Sequence, residues 1–217
     1  MNNILYLLYR KIPMIPKTII QTSIIRPPKY VIDKIMAKSP GWTYLHFNDE
    51  AIIQFFQENY LEEFKDVVAK FHSMYRGEYK ADLFRYYYLY INGGVYMDTD
   101  AMIERDLDDI VKEYTFVSVN STYFPKTIFQ GFIGVTPRNN IIYNALQDIY
   151  KITQEELRYF GHVLCRNLYY IIQKDDTENQ RIYLLTEKYD TEDTAAVYDD
   201  DNELTLIHYW NKKIIPV

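Results

Sequence analysis

The sequence predicts an α/β domain with a central, mainly parallel mixed sheet flanked by helices. Three observations predict it. Strand-like and helical segments alternate from the start of the chain, Pro and Gly punctuate them, and 217 residues at 48% hydrophobic and 25% charged suffice for one core but not for two large ones. The expected unit is a single domain over residues 1–217, with residues 1–14 as an N-terminal extension.

Lys17 to Thr22 reads as the first strand, entered after Pro13 and Pro16. Pro27-Pro28 opens a helical stretch to Lys38 that carries Val31, Ile32, Ile35 and Met36 on one face, and Pro40-Gly41 ends it. Trp42 to Phe47 is a second strand. Asn48-Asp49-Glu50 caps a helix bearing Ile52, Ile53, Phe55 and Phe56, and another helix is expected from Leu61 to Met74. A helix from Tyr79 to Ile91 ends at Asn92-Gly93-Gly94, since Gly accepts the left-handed position past a helix end. Val95-Tyr96-Met97 then forms a short strand. Strands are expected over 114–119, 127–135 and 204–209, and helices over 139–150 and 154–172. A polar loop falls at 175–179 and a charged turn at 199–203. In sheets of this type ligands sit beyond the carboxyl ends of the strands, so the residues that follow strands matter most.

Composition narrows the function. A net charge of −6 with no Lys/Arg stripe makes a nucleic-acid partner a poor fit. The single Cys165 rules out an internal disulfide framework and a multi-Cys metal site, and it reads as a small buried side chain. Twenty-three Tyr can bury rings while offering hydroxyls to polar ligands such as sugars. The apolar run Ile4 to Tyr9 is too short to span a bilayer and lacks the flanks of a signal peptide. The expectation is a soluble cytoplasmic protein without a transmembrane segment, with a peripheral membrane contact through this run left open.

The chemistry concentrates after the 95–97 strand, at Asp98-Thr99-Asp100. Carboxylates two apart on an extended chain point the same way and form a hard-cation site, where Mn²⁺ or Mg²⁺ would offset charge on a leaving diphosphate. A bare Asp-x-Asp is weak, and a plain polar turn is its ordinary reading. The surroundings strengthen it. Asp82 and Arg85 share a helix face. Arg85 suits bidentate phosphate contact and Asp82 suits sugar hydroxyls. Gly93-Gly94 allow a tight turn with close backbone approach, and Tyr96 shares a strand face with Asp98.

The pattern Ala81-Asp82-Leu83-x-Arg85-Tyr86, Leu89, Gly93-Gly94-Val95-Tyr96-x-Asp98-x-Asp100 resembles the sugar-binding region of glycosyltransferase family 32, the Och1-like mannosyltransferases. Related regions occur in inositol-phosphoceramide mannosyltransferases, α1,4-galactosyltransferases and clostridial glucosylating toxins. Ile15-Pro16-Lys17-Thr18-Ile19-Ile20-Gln21-Thr22 is similar to the family's opening strand, Pro40-Gly41-Trp42-Thr43-Tyr44 to its second, and His208-Tyr209-Trp210 to its closing element. The resemblance implies a GT-A-type, Rossmann-like fold and a retaining, metal-dependent hexosyltransferase. It would take a UDP- or GDP-sugar donor and a glycan, glycolipid or protein acceptor. It implies catalytic roles for Asp82, Arg85, Asp98 and Asp100. Donor contacts would come from Gln21, Thr22, Asp82, Arg85, Gly94, Tyr96, Asp98 and Trp210, and metal ligation from Asp98, Asp100 and His208. The chain departs from the pattern at Ile20, where the family carries His, and at Ser23, where an aromatic would stack on the base. Base recognition would then fall to backbone groups near Gln21 and Thr22. Near 160–163, Phe160-Gly161-His162-Val163 stands where a family element is expected, and His162 receives no role; Gln130-Gly131-Phe132 is noted as a loop without a motif.

Two other classes fit parts of the sequence. One is an Asp-x-Asp phosphatase, although Met102 stands where Thr or Val is common and Arg85 and Gly93-Gly94 go unexplained. The other is a non-catalytic sugar-binding module.

Overall fold

The computed structural model describes residues 13–159, 162–175, 177, 180–210 and 215. The apolar run 4–9, most of the N-terminal extension and Phe160-Gly161 lie outside the described residues. One nine-stranded sheet organises the rest: β1 (Thr18–Thr22), β2 (Thr43–Phe47), β3 (Gly94–Met97), β4 (Ala101–Ile103), β5 (Phe116–Ser121), β6 (Thr127–Val135), β7 (Ile182–Tyr189), β8 (Ala195–Tyr198) and β9 (Leu204–His208). Their spatial order is β2-β1-β3-β6-β5-β7-β8-β9-β4.

The sheet is mixed, as expected, but parallel pairing is confined to β1–β2, β1–β3 and β5–β7. The other pairings, β3–β6, β4–β9, β5–β6, β7–β8 and β8–β9, are antiparallel. The expectation of a mainly parallel sheet is corrected on this point. It extrapolated from the alternating first half, whereas the second half turns back on itself through the short links of β5–β6 and of β7 to β9.

Helices cover both faces: α1 (Lys29–Ala37), α2 (Asp49–Glu58), α3 (Val67–Ser73), α4 (Gly77–Asn92), α5 (Leu107–Val111), α6 (Asn140–Lys151), α7 (Gln154–Tyr159) and α8 (Val163–Lys174). Strand alternation feeds two cores. Ile19, Val95 and Met97 enter one with Val31, Ile35 and Trp42, while Ile20 and Tyr96 enter the other with Phe56, Leu83 and Tyr87. Asn48 caps α2 by accepting from the Ala51 N–H at 2.9 Å, as the sequence predicted. The predicted 61–74 helix is divided by Asp66 at φ 57° into a 3-10 turn (Glu62–Phe64) and α3. The predicted 154–172 helix is divided into α7 and α8, with His162 at φ 62° before α8.

The helix that matters most is α4. It is buried nearly all round, from Tyr79 through Leu89, so it is a core helix rather than a surface amphipath. It stops because Gly93 takes φ 65° and the following Gly94 φ 106°. A Cβ on Gly94 would stand 2.8 Å from the Thr18 carbonyl oxygen of β1. Gly94 therefore lets β3 lie beside β1. Gly94→Ala is expected to cost about 2 kcal/mol or more in urea unfolding, through positive φ and backbone overlap. Gly77→Ala, where the added methyl meets open space, is the control and should stay within about 1 kcal/mol of the parent.

Candidate active site

Asp98 is the first residue after β3, and several elements hold it. Its N–H donates to Gly131 O of β6 at 2.9 Å, and its carbonyl accepts from Gln21 Nε2 of β1 at 3.0 Å. The Ala101 N–H closes the turn onto the same carbonyl at 3.1 Å. On the side chain, Oδ1 accepts from Tyr96 Oη at 2.9 Å and from Arg85 Nη2 at 3.3 Å. Tyr96 Oη also meets Thr22 Oγ1 at 2.9 Å. Gln21 is wholly buried, and its Oε1 accepts from Tyr44 Oη at 2.8 Å, so both ends of its amide are engaged.

Arg85 and Asp82 come from the buried face of α4. The Arg85 guanidinium lies over the Tyr96 ring, 4.2 Å from its centroid, and Nη1 donates to Gln130 O at 2.6 Å. Nη2 also approaches Asp82 Oδ1 at 3.4 Å. Burial disfavours its charge, but Tyr96, Asp98 and Asp82 more than offset that and leave its pKa above the ordinary value. Only 4% of Arg85 is exposed. Its donors meet protein groups, which makes it a strut between α4, β3 and β6. Burial raises the Asp82 carboxyl to about 6, with Arg85 pulling the other way and the Asp98 charge adding to the rise. Gln130, with its amide turned to satisfy both ends, donates to Asp82 Oδ1 at 3.2 Å and accepts from the Cys165 N–H at 3.0 Å. Desolvation also pushes the Cys165 thiol up to about 12, so it is unreactive, although the side chain is half-buried at the cavity wall rather than fully buried as expected.

Asp100 opens the way into β4. Its carbonyl accepts from the Tyr209 N–H at 2.7 Å, and the pairing of Ala101 with His208 brings the end of β9 alongside. His208 Nε2 stands 3.9 Å from Asp100 Oδ2. Burial and the neighbouring Asp98 charge raise Asp100 to about 6, with His208 acting in the opposite direction. On the other side of the imidazole, His208 Nδ1 lies 3.4 Å from Glu187 Oε1, and the ring stacks on Phe129 at 4.2 Å. Glu187 of β7 is buried and also accepts from Ser121 Oγ. Among the described residues, no three His, Cys, Asp or Glu side chains form a ready-made metal cage.

Two cavities meet here. The smaller, about 290 Å³, is lined by Thr22, Ser23, Ile24, Tyr96, Thr99 and Asp100 among others. The larger, about 370 Å³, runs past Asp82, Phe129, Glu187 and His208 to Tyr123 and Trp210. Glu78, Arg85 and Asp98 line both, so the wall between them is built from the same residues that anchor β3.

With this geometry in view, comparison with known proteins is informative. Residues 28–117 match the family described as "Glycosyltransferase sugar-binding region containing DXD motif". The chain is 32% identical over 120 residues to "Inositol phosphoceramide mannosyltransferase 1" of Schizosaccharomyces pombe, a match that covers 55% of this chain and 35% of that one. The chain thus spans about a third of the length of this relative. In fold it is similar to "PaToxG Glycosyltransferase", at TM-score 0.55 and 16% identity, over 73% of this chain and 70% of that structure. The DXD region begins at α1 and ends in β5, so Asp82, Arg85, Asp98 and Asp100 all lie inside it. Among the described residues, no helix is long and apolar enough to cross a membrane.

The structure brings together Gln21, Thr22, Asp82, Arg85, Tyr96, Asp98, Asp100 and His208, while Trp210 stands at the outer rim of the larger cavity. Gly94 is not brought to the site. It occupies the opposite end of β3 from Asp98 and spaces two strands. Sequence reasoning missed Glu187, which sits in no motif, and the importance of Gln130-Gly131. A Cβ on Gly131 would overlap the Phe129 ring first, at 2.2 Å, and stand 2.8 Å from Asp98 Oδ2, so Gly leaves room for both side chains.

The raised Asp82 carboxyl has a testable sign. Its folded value near 6 exceeds the ordinary 3.8. The proton it holds therefore stabilises the fold fully below about pH 4, and that contribution is lost as pH rises through about 6. With EDTA present, Asp82→Asn should raise the melting temperature relative to the parent more at pH 7.5 than at pH 4.5. A pH-independent difference would contradict the assignment.

Proposed function

We propose that the protein is a metal-dependent, retaining glycosyltransferase that moves a hexose from a nucleotide sugar to a glycan, glycolipid or protein acceptor. One observation carries the reading: the DXD carboxylate Asp98 stands on the wall between two cavities, held there by β1, β6, α4 and Tyr96. Two cavities that share a wall suit a two-part donor. The smaller, bounded by Thr22 and Ser23 at the end of β1, takes the nucleotide, and the larger takes the sugar.

The donor set fits a hard divalent cation. Asp98, Asp100 and His208 offer oxygen and imidazole ligands suited to Mn²⁺ or Mg²⁺. Burial, with the neighbouring Asp98 charge adding to it, already raises Asp100. Bound there, the cation would supply Lewis acidity toward the leaving diphosphate. The chain's own residues do the rest. Asp82 accepts hydrogen bonds from hydroxyls of the donor sugar. Arg85 keeps the Asp82 and Asp98 carboxylates aimed. Glu187 fixes the His208 ring, and Trp210 covers the donor and limits water. The acceptor oxygen bonds to the anomeric carbon on the face from which the diphosphate departs, as the carbon–oxygen bond to the diphosphate breaks. The acceptor proton ends on the departing phosphate oxygen.

Thermal-shift measurements against UDP- and GDP-sugars, with and without Mn²⁺, test donor class directly. At a hundredfold excess over Kd, the right donor should stabilise by about 2.7 kcal/mol, and only with the cation present. Asp98→Asn and Asp100→Asn should each abolish transfer and the Mn²⁺-dependent shift. Full activity in both variants would overturn the metal assignment. Glu187→Ala should weaken Mn²⁺ binding roughly tenfold or more by freeing the imidazole, as measured by isothermal titration; unchanged affinity would show that His208 needs no such partner.

A further inference from the structure

Surface aromatics are not evenly spread over this protein. Of the large exposed rings, Tyr123 (51% exposed), Phe124 (43%), Tyr189 (58%) and Trp210 (39%) all gather at the mouth of the larger cavity. They come from three separate places in the chain: the β5–β6 turn, the end of β7 and the segment after β9. Tyr123 packs edge-on against Phe124 at 4.7 Å, lies 5.6 Å from Trp210, and runs nearly parallel to Tyr189 with planes 17° apart. Phe124 in turn lies against His162 at 4.2 Å. Scattered single aromatics on a surface need no explanation, but a contiguous exposed cluster leading into a polar cavity marks a binding site.

The charge around this mouth restricts what enters. The cavity wall carries Asp82, Asp98, Glu78 and Glu187. Its cations are Arg85, engaged with Asp82, Asp98 and Gln130, and Arg76, ion-paired to Glu78. Among the described lining residues, then, each guanidinium already has an acidic partner, and an anionic ligand would meet net negative charge. Aromatic faces carry negative quadrupole potential and attract the weakly positive C–H face of a pyranose, while Tyr hydroxyls at the ring edges can bond its hydroxyls. Rings at the rim and carboxylates at the floor together fit a neutral sugar that lies flat on the platform with one hydroxyl turned inward.

We propose that Tyr123, Phe124 and Tyr189 form an acceptor subsite for an uncharged glycosyl unit, with Trp210 as the boundary to the donor. The proposal rests on the glycosyltransferase reading for its name as an acceptor site, but binding itself can be tested apart from it. Trp210 is half-exposed and Trp42 is buried, so external quenching of tryptophan emission reports on the mouth. Methyl α-glucopyranoside, methyl α-galactopyranoside and methyl α-mannopyranoside are the neutral probes, glucose 6-phosphate is the anionic one, and dodecylphosphocholine micelles stand for a lipid surface. At least one neutral glycoside should perturb the emission saturably, and glucose 6-phosphate should bind at least tenfold more weakly. Tyr123→Ala and Tyr189→Ala should each weaken that glycoside at least fivefold, with melting temperature preserved. The proposal is overturned if no neutral glycoside binds, if the sugar phosphate binds equally well, if micelles alone perturb the signal, or if both variants bind as the parent does. Nucleotide binding with Mn²⁺, followed by thermal shift on the same samples, separates the two readings. Its loss in the parent alongside intact glycoside binding would remove the donor reading and leave the platform standing as a sugar site.

Discussion

The buried guanidinium of Arg85 is the constraint on which the site depends. A charge taken out of water is costly unless it is surrounded by partners of the right sign and geometry. Here those partners are the Asp82 and Asp98 carboxylates, the Gln130 carbonyl and the face of Tyr96. They belong to a helix and two strands, so satisfying one cation fixes the relative positions of α4, β3 and β6. The same arrangement gives Asp98 its orientation. A cation–π contact in a dry setting contributes about 2 kcal/mol or more. The larger consequence is geometric, because the guanidinium loses its compensation if any one of these elements moves.

Much of the candidate site was legible in the sequence because its residues are close together along the chain. Asp82, Arg85, Gly93-Gly94, Tyr96, Asp98 and Asp100 fall within one helix-turn-strand unit, where helix and strand periodicities indicate which side chains share a face. What the sequence did not reveal is the direction of Arg85. Periodicity placed it beside Asp82, but only the packing of β6 across α4 showed that its donors turn inward. Glu187 and the Gln130-Gly131 backbone were illegible for a related reason. They reach the site through strand pairing distant in sequence, and a single Glu or Gly in a strand carries no local signature. The fold shows the same division. Strands β1, β2, β3 and β6 and helix α4 follow strong local patterns. The three-residue β4 and the Ala-rich β8 exist because neighbouring strands offer them hydrogen bonds, which propensity does not report.

The abundance of tyrosine also gains a physical account. Many of the rings fill the core while their hydroxyls act as struts. Tyr87 Oη donates to Asn59 O and accepts from the Leu61 N–H; Tyr79 Oη donates to Leu157 O; Tyr150 Oη donates to Phe64 O. Each ties a helix to a neighbouring segment: Tyr87 to the turn before the 3-10 segment, Tyr79 to α7 and Tyr150 to the 3-10 turn. Phenylalanine at these positions would preserve packing but remove those ties. The rings at the mouth of the larger cavity are a separate, exposed population.

The DXD segment has one more property, which is topological. In the sheet order, β3 is third and β4 ninth. A flat sheet would place them about 29 Å apart at the usual strand spacing. Only Asp98, Thr99 and Asp100 separate their ends in the chain, and that span can reach only about 15 Å. The sheet must therefore curl until its far edge returns to its middle. The result is a closed circuit, part covalent and part hydrogen-bonded, in which the two aspartates are the clasp. Any breathing of the β7–β9 wing works against that clasp and changes the spacing of the carboxylates, so the rigidity of the whole wing becomes a property of the site itself.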